Sequence, residues 1–256
     1  KKIPGGRFSN WACESLKPGD VLDVMTPEGR FHVPLDPSQS RHYVAFAAGS
    51  GITPILSLIK TTLKAEPNSR FTLVYGNRRL GTTIFAEALE DLKDRYLSRF
   101  TLYHVFSREE QDVPLFNGRL DRERVAAFLD TLIPVDLIDA AFVCGPGGMI
   151  DEVEAGLKAA GVDPSRIHFE RFGVHDVPGG LEPQHAAPGD APQANITIIA
   201  DGLRREMEYH AEDLSILDVA LRAGMDLPYS CKGGVCCTCR ARVLEGQVRM
   251  NKNYTL

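Results

Sequence analysis

Short runs of apolar residues alternate, between residues 42 and 170, with longer segments in which apolar residues recur every three or four positions. The short runs predict buried β-strands, and the helical spacing predicts amphipathic α-helices. This alternation is typical of a doubly wound α/β domain with an open parallel sheet, whose ligand lies across the carboxyl ends of the strands. The predicted strands span 42–47, 70–75, 100–106, 140–144 and 167–170, and the predicted helices begin at residue 53 and span 84–96, 122–132 and 149–160.

Two glycines follow the first predicted strand, in the turn Ala48-Gly49-Ser50-Gly51. Thr53 is the predicted N-cap of the next helix, and Pro54 fits its first helical position. Backbone N–H groups and the positive dipole end of such a helix suit the pyrophosphate of a dinucleotide. We therefore expect Gly49, Gly51, Thr53 and Pro54 to contact a nucleotide cofactor.

A second pattern begins after residue 192. Residues 195–209 predict two strands joined at Asp201-Gly202, and residues 215–223 predict a helix ahead of a cysteine-rich loop. The intervening residues 173–192 are dense in Gly, Pro, Ala and His and lack hydrophobic periodicity, which is typical of an interdomain linker. The chain therefore divides into two folded regions.

Composition narrows the class of protein only slightly. The chain has 256 residues, of which 43% are hydrophobic and 25% charged, and its formal net charge is -5. These values fit ordinary globular domains and disfavour nucleic-acid binding. Since no apolar run approaches the length of a membrane span, we expect no membrane association.

The cysteines carry the strongest chemical signal. Cys231, Cys236 and Cys239 follow the C-x4-C-x2-C spacing of a plant-type [2Fe-2S] loop. Such a cluster needs four thiolates, and we expect the fourth from a segment roughly 30 residues beyond Cys239. The alternative is a structural zinc knuckle with Cys237 as fourth ligand, although zinc sites favour cysteine pairs well separated in sequence.

Clustered thiols persist best in a reducing compartment, and nothing in the sequence resembles a secretory signal peptide. We therefore expect a cytoplasmic protein without disulfides. The cysteine loop is also locally basic, with Lys232, Arg240 and Arg242. This charge either indicates an acidic docking face on an electron acceptor or belongs to a solvated surface of mixed charge.

The tips of the second and third strands favour NADP over NAD. An NAD site usually carries an acidic residue after the second strand, whereas Arg78 and Arg79 stand there. With Ser107 and Arg108 after the third strand, they suit a 2′-phosphate. Each arginine alone is also compatible with a solvated surface charge.

Cys144 ends the fourth predicted strand and is followed by Gly145 and Pro146. A thiol at this strand tip would border the nicotinamide of a bound dinucleotide. A buried cysteine that packs as a small apolar residue is the alternative.

The ordered motifs Gly49-Ser50-Gly51-Ile52-Thr53-Pro54, Tyr75-Gly76-Asn77-Arg78, Ser107-Arg108 and Cys144-Gly145-Pro146 resemble those of the ferredoxin-NADP reductase family. Joined to a plant-type ferredoxin region with a β-grasp fold, this set resembles the reductases of oxygenases. The segments Gly5–Trp11, Phe169–Phe172 and Cys236–Cys239 are most similar to reductase components of phenylacetyl-CoA epoxidases.

This resemblance implies FAD, NADPH and a [2Fe-2S] cluster as electron carriers in that family's relay to an oxygenase. It implies that Gly6, Ser9 and Asn10 approach the FAD pyrophosphate, and that Cys144 and Phe172 lie near the site of hydride transfer and the flavin ring. The implied acceptor is a multisubunit diiron phenylacetyl-CoA epoxidase, or else another aromatic or steroid oxygenase.

The expected organisation has four parts: the C-terminal part of a flavin-binding β-barrel at 1–40, an NADP-binding domain at 41–172, a linker at 173–192 and an incomplete plant-type ferredoxin domain at 193–256. The rival hypothesis is a non-enzymatic nucleotide-binding protein with a zinc knuckle. Flavin and iron-sulfur absorption bands would distinguish the two.

Overall fold

The computed structural model describes residues 2, 5–24, 29, 31–172, 193–210, 212–229, 231–250 and 253, except for the side chain of Arg7. The chain divides into two compact units, Lys1–Gly145 with Met149–Phe169, and Pro146–Gly148 with Glu170–Leu256. The predicted linker at 173–192 lies outside the described residues.

A five-stranded sheet organises the first unit. Its elements follow the order α1 (Arg7–Glu14), β1 (His42–Ala48), α2 (Ile52–Ala65), β2 (Arg70–Asn77), α3 (Ala86–Arg95), β3 (Phe100–Phe106), α4 (Arg122–Thr131), β4 (Ala140–Cys144), α5 (Gly147–Ala159) and β5 (Ile167–Glu170).

The strand order in this sheet is β3-β2-β1-β4-β5. Strand β1 pairs in parallel with both β2 and β4, and β2 pairs in parallel with β3. The order reverses at β1, so the crevice between the carboxyl ends of β1 and β4 is the topological switch point, where ligands of open α/β sheets bind. Ala47 is in register with both Tyr75 of β2 and Cys144 of β4 there.

Strand β1 supplies both faces of the core because successive side chains point to opposite sides of the sheet. Tyr43, Ala45 and Ala47 pack in one buried cluster with residues of α2 and α3. Val44 and Phe46 belong to a second cluster with residues of α4 and α5. Helices thus cover both faces of the sheet, which confirms the predicted doubly wound architecture.

The predicted bounds of β3, β4 and β5 match the structure, whereas two helix starts were predicted too late. Helix α2 begins at Ile52, and its N-cap is Gly51, so the prediction of Thr53 as N-cap is wrong. The glycine turn forms a short 3-10 turn that runs directly into the helix. The Thr53 hydroxyl instead donates to the Ser50 carbonyl at 3.1 Å.

Helix α5 likewise begins at Gly147, two positions before the predicted Met149. Helix α3 begins at Ala86 rather than at residue 84, because Phe85 adopts a left-handed backbone conformation with φ of 59°. A non-glycine residue rarely occupies this region, so the left-handed conformation of Phe85 could not be predicted from the sequence.

The segment predicted as part of a flavin-binding barrel contains α1, and its described residues form no β-strand. Phe31, Val33 and Leu35 pack against the core cluster on the α2 side. The Phe31 ring meets the Phe142 ring edge-on, with centroids 5.5 Å apart. The barrel assignment of residues 1–40 stays a prediction.

The second unit contains an antiparallel hairpin and a short helix: β6 (Gln193–Ala200), β7 (Leu203–His210) and α6 (Ile216–Arg222). The two-residue turn has left-handed backbones at Asp201 (φ 49°) and Gly202 (φ 78°), as in a type I′ hairpin. The hairpin and helix agree with the prediction. Among the described residues, no helix is both long and apolar enough to cross a membrane.

Candidate functional site

The turn after β1 and the tip of β4 approach closely through their backbones at the switch point. A Cβ atom added to Gly51 would lie 2.1 Å from the carbonyl oxygen of Cys144 and 2.7 Å from the amide nitrogen of Gly145. No side chain can occupy that space, since real Cβ atoms do not approach backbone atoms so closely. Glycine at position 51 is therefore required for this contact.

Gly145 provides the second half of the same arrangement. A Cβ atom on it would lie 2.9 Å from the Met149 sulfur and 3.2 Å from the Ala48 amide nitrogen. Both glycines thus let the loop after β4 and the loop after β1 share one surface. The sequence signalled these glycines as a turn, but the cross-strand contact depends on the sheet order.

The glycine turn leaves its outer side open. Gly49 has a φ of +52°, and a Cβ atom there would meet no atom within 4 Å. Thr53 is exposed and Pro54 half-buried on the first turn of α2, which carries no acidic residue. A helix N-terminus with open backbone N–H groups and no carboxylate suits a pyrophosphate. These residues therefore fit the predicted dinucleotide.

Backbone hydrogen bonds continue the β2–β3 pairing beyond the strand ends. The Ser107 amide donates to the Asn77 carbonyl at 3.0 Å, and the Arg108 amide donates to the Arg78 carbonyl at 2.9 Å. This pairing brings Arg78, Ser107 and Arg108 to one edge, as predicted. In the part of the chain that the structure describes, neither exposed guanidinium has a hydrogen bond or ion pair with the protein.

Glu109 adds a carboxylate to this edge that the sequence analysis did not single out. Its Oε2 accepts a hydrogen bond from the Leu80 amide at 3.1 Å. The carboxylate therefore fixes the loop after β2 to the loop after β3. Its position directly after Ser107-Arg108 is the sequence feature from which this role could have been predicted.

Cys144 is 1% exposed and belongs to the core cluster on the α2 side of the sheet. Its backbone carbonyl, rather than its thiol, forms the close approach to Gly51. Both interpretations of this cysteine, as a neighbour of the nicotinamide or as a packing residue, remain compatible with that position.

Gly6, Ser9 and Asn10 cluster at the start of α1. Gly6 is the N-cap, and its carbonyl accepts from the Asn10 side-chain amide at 2.6 Å and from the Asn10 backbone amide at 3.2 Å. The first turn contains no acidic residue. This N-terminus therefore has the electrostatic character that a bound diphosphate needs.

Pro146 and Phe172 belong to the second compact unit. Phe172 is 50% exposed and follows the end of β5. Next to it, Arg171 donates from Nη1 to the Gly147 carbonyl at 3.4 Å. The predicted contacts of Pro146 and Phe172 with cofactors stay predictions.

The cysteine loop directs backbone amides at its sulfurs. Cys231 Sγ accepts from the Gly233 amide at 3.3 Å and from the Val235 amide at 3.4 Å, and Cys236 Sγ accepts from the Cys231 amide at 3.5 Å. Left-handed backbones at Lys232 and Gly234 produce the tight wrap. Amide donors of this kind stabilise thiolates and tune a metal centre.

The thiols of this loop also interact electrostatically. Burial alone would raise the pKa of Cys236, but hydrogen bonds with Thr238 and Cys231 lower it to about 7. Burial raises the pKa of Cys239, with further contributions from Cys236 and Cys231. The three predicted ligands thus lie near one another, although no group of three metal-binding side chains within the described ranges is arranged to hold a metal ion.

Lys232 is engaged within its own unit. Its Nζ lies 2.6 Å from Asp218 Oδ1 and 4.6 Å from the centroid of the Tyr229 ring. The ion pair offsets the positive charge that the sequence analysis assigned to this loop. Arg240 and Arg242 are exposed, so the loop keeps part of the basic character that was predicted for it.

Two family models match the chain. Residues 46–155 match the oxidoreductase NAD-binding domain, and residues 198–256 match the 2Fe-2S iron-sulfur cluster binding domain. The chain belongs to the ferredoxin-NADP reductase superfamily, in the group of oxidoreductase components with a C-terminal 2Fe-2S ferredoxin domain. The second match favours an iron-sulfur site over the zinc knuckle.

Curated relatives narrow the group. The chain is 46% identical over 256 residues to one of the subunits of 1,2-phenylacetyl-CoA epoxidase from Escherichia coli K12, covering 100% of this chain and 71% of that protein. It is 32% identical over 253 residues to the ferredoxin reductase component of 3-ketosteroid-9-alpha-monooxygenase from Rhodococcus rhodochrous, covering 98% of this chain and 68% of that protein.

Solved structures agree on the fold. A cytochrome P450 reductase from Amycolatopsis superposes with a TM-score of 0.58 at 24% identity, covering 67% of this chain and 50% of that one. The FAD/NAD binding domain of nitric oxide dioxygenase from Vibrio cholerae gives a TM-score of 0.53 at 26% identity, covering 66% of this chain and 65% of that one.

Proposed function

We propose that this chain takes electrons from NADPH and passes them through FAD and a [2Fe-2S] cluster to an oxygenase. The observation that carries the proposal is the Gly51–Cys144 contact at the switch point, in a chain that also contains the Cys231–Cys239 loop. A nucleotide site and an electron-carrier site in one chain are what a reductase needs. We also propose that it works in the cytoplasm, where thiols stay reduced.

The nucleotide end of this path uses residues of the first unit. The glycine turn from Gly49 to Gly51, together with Thr53 and Pro54, would hold the pyrophosphate of NADPH with backbone N–H groups. Arg78, Ser107 and Arg108 would bind the 2′-phosphate with charge-assisted hydrogen bonds. Two observations support this assignment. The guanidiniums of Arg78 and Arg108 have no partner among the described residues, and the backbone hydrogen bonds between the two loops hold them at the same edge.

The nicotinamide would lie beside the β4 tip, next to Cys144 and Gly145. The close backbone packing there supports a fixed ring position, because Gly51 and Gly145 leave no space for the loop to shift. Cys144 would contact the reacting ring edge. Its side chain is 1% exposed, and this burial would keep water away from that side.

FAD would be held by the start of α1. Gly6, Ser9 and Asn10 would receive its diphosphate at the helix N-terminus. When bound, the flavin lets a two-electron donor serve one-electron acceptors. The 26% identical FAD/NAD binding domain from Vibrio cholerae supports this cofactor.

Cys231, Cys236 and Cys239 would ligate the [2Fe-2S] cluster. The Gly233 and Val235 amides that donate to Cys231 would lower the electron density at that sulfur and raise the cluster's reduction potential. The wrapped loop would hold these amides in place whether or not the cluster is reduced.

The proposed acceptor is the oxygenase of a phenylacetyl-CoA epoxidase, a multisubunit diiron enzyme. The 46% identity over the whole chain to a component of the Escherichia coli epoxidase supports it. A steroid oxygenase is the second candidate, because a 3-ketosteroid monooxygenase reductase is 32% identical.

The test uses full-length protein purified with its cofactors. Anaerobic titration with NADPH is expected to bleach flavin absorption and produce the EPR signal of a reduced [2Fe-2S] cluster. Turnover with a purified epoxidase and phenylacetyl-CoA, compared with a 3-ketosteroid oxygenase, then identifies the acceptor. Absence of both spectral changes would contradict the proposed function, while turnover with only the steroid enzyme would overturn the acceptor alone.

A further inference from the structure

Tyr75 places a hydroxyl group between two loops at the carboxyl edge of the sheet. Its side chain is 0% exposed and belongs to the core cluster on the α2 side. The hydroxyl oxygen lies 2.9 Å from the Gly49 carbonyl oxygen and 3.3 Å from the Ile84 carbonyl oxygen. One proton is therefore shared between carbonyls that belong to different loops.

Each of these carbonyls lies beside a backbone in an unusual conformation. Gly49 itself has a φ of +52°, and Ile84 precedes Phe85, whose φ is +59°. For a phenylalanine this conformation costs about 1–2 kcal/mol, so the surrounding structure must impose it. Phe85 is nevertheless 46% exposed, so burial of its own side chain does not impose this conformation.

The tyrosine ring itself has little freedom to move. It is in register with Ala47 on β1 and His104 on β3, and its centroid lies 6.1 Å from that of the His104 ring. Burial raises the pKa of Tyr75 to about 12, so the hydroxyl keeps its proton throughout the physiological pH range. A fixed ring thus presents a permanent donor to both loops.

We propose that Tyr75 is a positioning residue for the pyridine dinucleotide. Its hydroxyl fixes the Gly49 carbonyl, which keeps the turn open toward the ligand, and ties that turn to the segment carrying Ile84 and Phe85. The proposal rests on the proposed function, because it takes the Gly49–Gly51 turn as the pyrophosphate site. Tyr75 does not contact the reacting atoms and acts through these two loops.

Tyr43 offers a matched control on the same sheet. It is also 0% exposed, and its hydroxyl donates to Glu66 Oε2 at 2.9 Å. It lies near the start of β1, so its hydroxyl is at the opposite, amino-terminal edge of the sheet. Tyr43→Phe and Tyr75→Phe remove the same atom from equally buried rings, and only the second faces the proposed site.

The experiment measures the dissociation constant of NADP⁺ by calorimetry in full-length holoenzyme, with the melting temperature and the limiting rate of flavin reduction by NADPH. For Tyr75→Phe we expect binding weaker by roughly fivefold to tenfold, or about 1 to 1.4 kcal/mol. The limiting reduction rate should stay within about twofold, since the reacting groups are unchanged. Tyr43→Phe should lower the melting temperature and leave the dissociation constant unchanged.

A purely structural role for Tyr75 predicts a different pattern. If both variants weaken NADP⁺ binding equally, or if Tyr75→Phe changes only the melting temperature, the positioning role is overturned. Gly51→Ala separates this failure from failure of the proposed site. Weak binding in Gly51→Ala with wild-type binding in Tyr75→Phe would leave the site standing and reject the role of Tyr75, whereas wild-type binding in Gly51→Ala would reject both.

Discussion

The carbonyl oxygen of Cys144 lies 2.1 Å from the position that a Cβ atom on Gly51 would occupy. The two residues are far apart in sequence and meet because β1 and β4 are neighbours in the sheet. Their contact closes the switch point with backbone atoms alone. A substitution at Gly51 therefore tests the site without removing a charged or catalytic group.

Gly51→Ala is expected to separate the turn after β1 from the tip of β4. The new methyl group would meet backbone atoms, which cannot rotate away, and overpacking of this kind costs about 1–3 kcal/mol. We expect NADP⁺ binding to weaken by at least about tenfold and the melting temperature to fall, by about 2–4 °C per kcal/mol. Gly81→Ala is the control, because a Cβ atom there meets nothing within 4 Å. Equal binding by both variants would contradict the assignment of this crevice.

Arg78→Ala and Arg108→Ala are expected to raise the KM for NADPH much more than the KM for NADH. Each substitution removes a contact to the 2′-phosphate, worth roughly 1.5–3 kcal/mol for a charge-assisted hydrogen bond. Steady-state kinetics with both nucleotides provides the measurement. Arg95→Ala, an exposed arginine in the last turn of α3, serves as control. Equal effects on the two nucleotides would reject the 2′-phosphate site.

Sequence patterns predicted the strands of this fold better than the starts of its helices. Apolar runs such as Ala140–Cys144 are bounded by polar or glycine residues. Such a run is enough to predict a strand, because a central strand of a parallel sheet is buried on both faces. The start of α2 was missed because Gly51 caps it without a side chain. Thr53, two positions later, is a residue type that favours the N-cap, but it lies inside the helix.

The sequence could single out a candidate site wherever one loop carries the chemistry, as at Cys231–Cys239. The shared hydroxyl of Tyr75 could not be predicted, because its two partners depend on strand register and on the path of the loop before α3. Lys232 illustrates the same limit. Its charge is visible in the sequence, but its ion pair with Asp218 depends on how α6 packs beside the loop.

Cys144→Ser is expected to slow flavin reduction in the holoenzyme while leaving NADPH affinity largely unchanged. The thiol is 1% exposed, so a hydroxyl in its place changes polarity at the β4 tip without opening a large cavity. Stopped-flow reduction over a range of NADPH concentrations separates rate from affinity. Cys13→Ser, at an exposed cysteine, is the control. Reduction at the wild-type rate would make Cys144 a packing residue only.

His42 predicts a pH dependence of stability in the first unit. Burial, followed by the nearby Arg70 charge, lowers its pKa from 6.5 to about 4. Because the unfolded chain binds this proton at a higher pH than the folded chain, the group's contribution is present above pH 6.5 and is lost as the pH falls toward 4.

The loss from this group would reach about 3 kcal/mol at most. His42→Gln should therefore flatten the denaturation midpoint between pH 6.5 and 4 relative to the wild type. Identical slopes in His42→Gln and the wild type would show that the buried imidazole contributes nothing.

Serine substitutions in the cysteine loop test which sulfurs bind the cluster. Cys231→Ser, Cys236→Ser and Cys239→Ser in the full-length protein are each expected to abolish or strongly deplete the [2Fe-2S] absorption and EPR signals. Cys237→Ser is expected to retain them, so it serves as the control within the same loop.

The backbone of the loop explains why Cys237 is not expected to bind the cluster. Cys237 has a left-handed φ of 57°, which turns the chain between the two neighbouring ligands. Amide donors are directed at Cys231 and Cys236 instead. NADPH-dependent flavin reduction should continue in all four variants, because the nucleotide crevice is built from the first unit. Loss of the EPR signal in Cys237→Ser alone, with iron content falling in parallel, would instead identify Cys237 as a ligand and reject the plant-type spacing as the basis of the site.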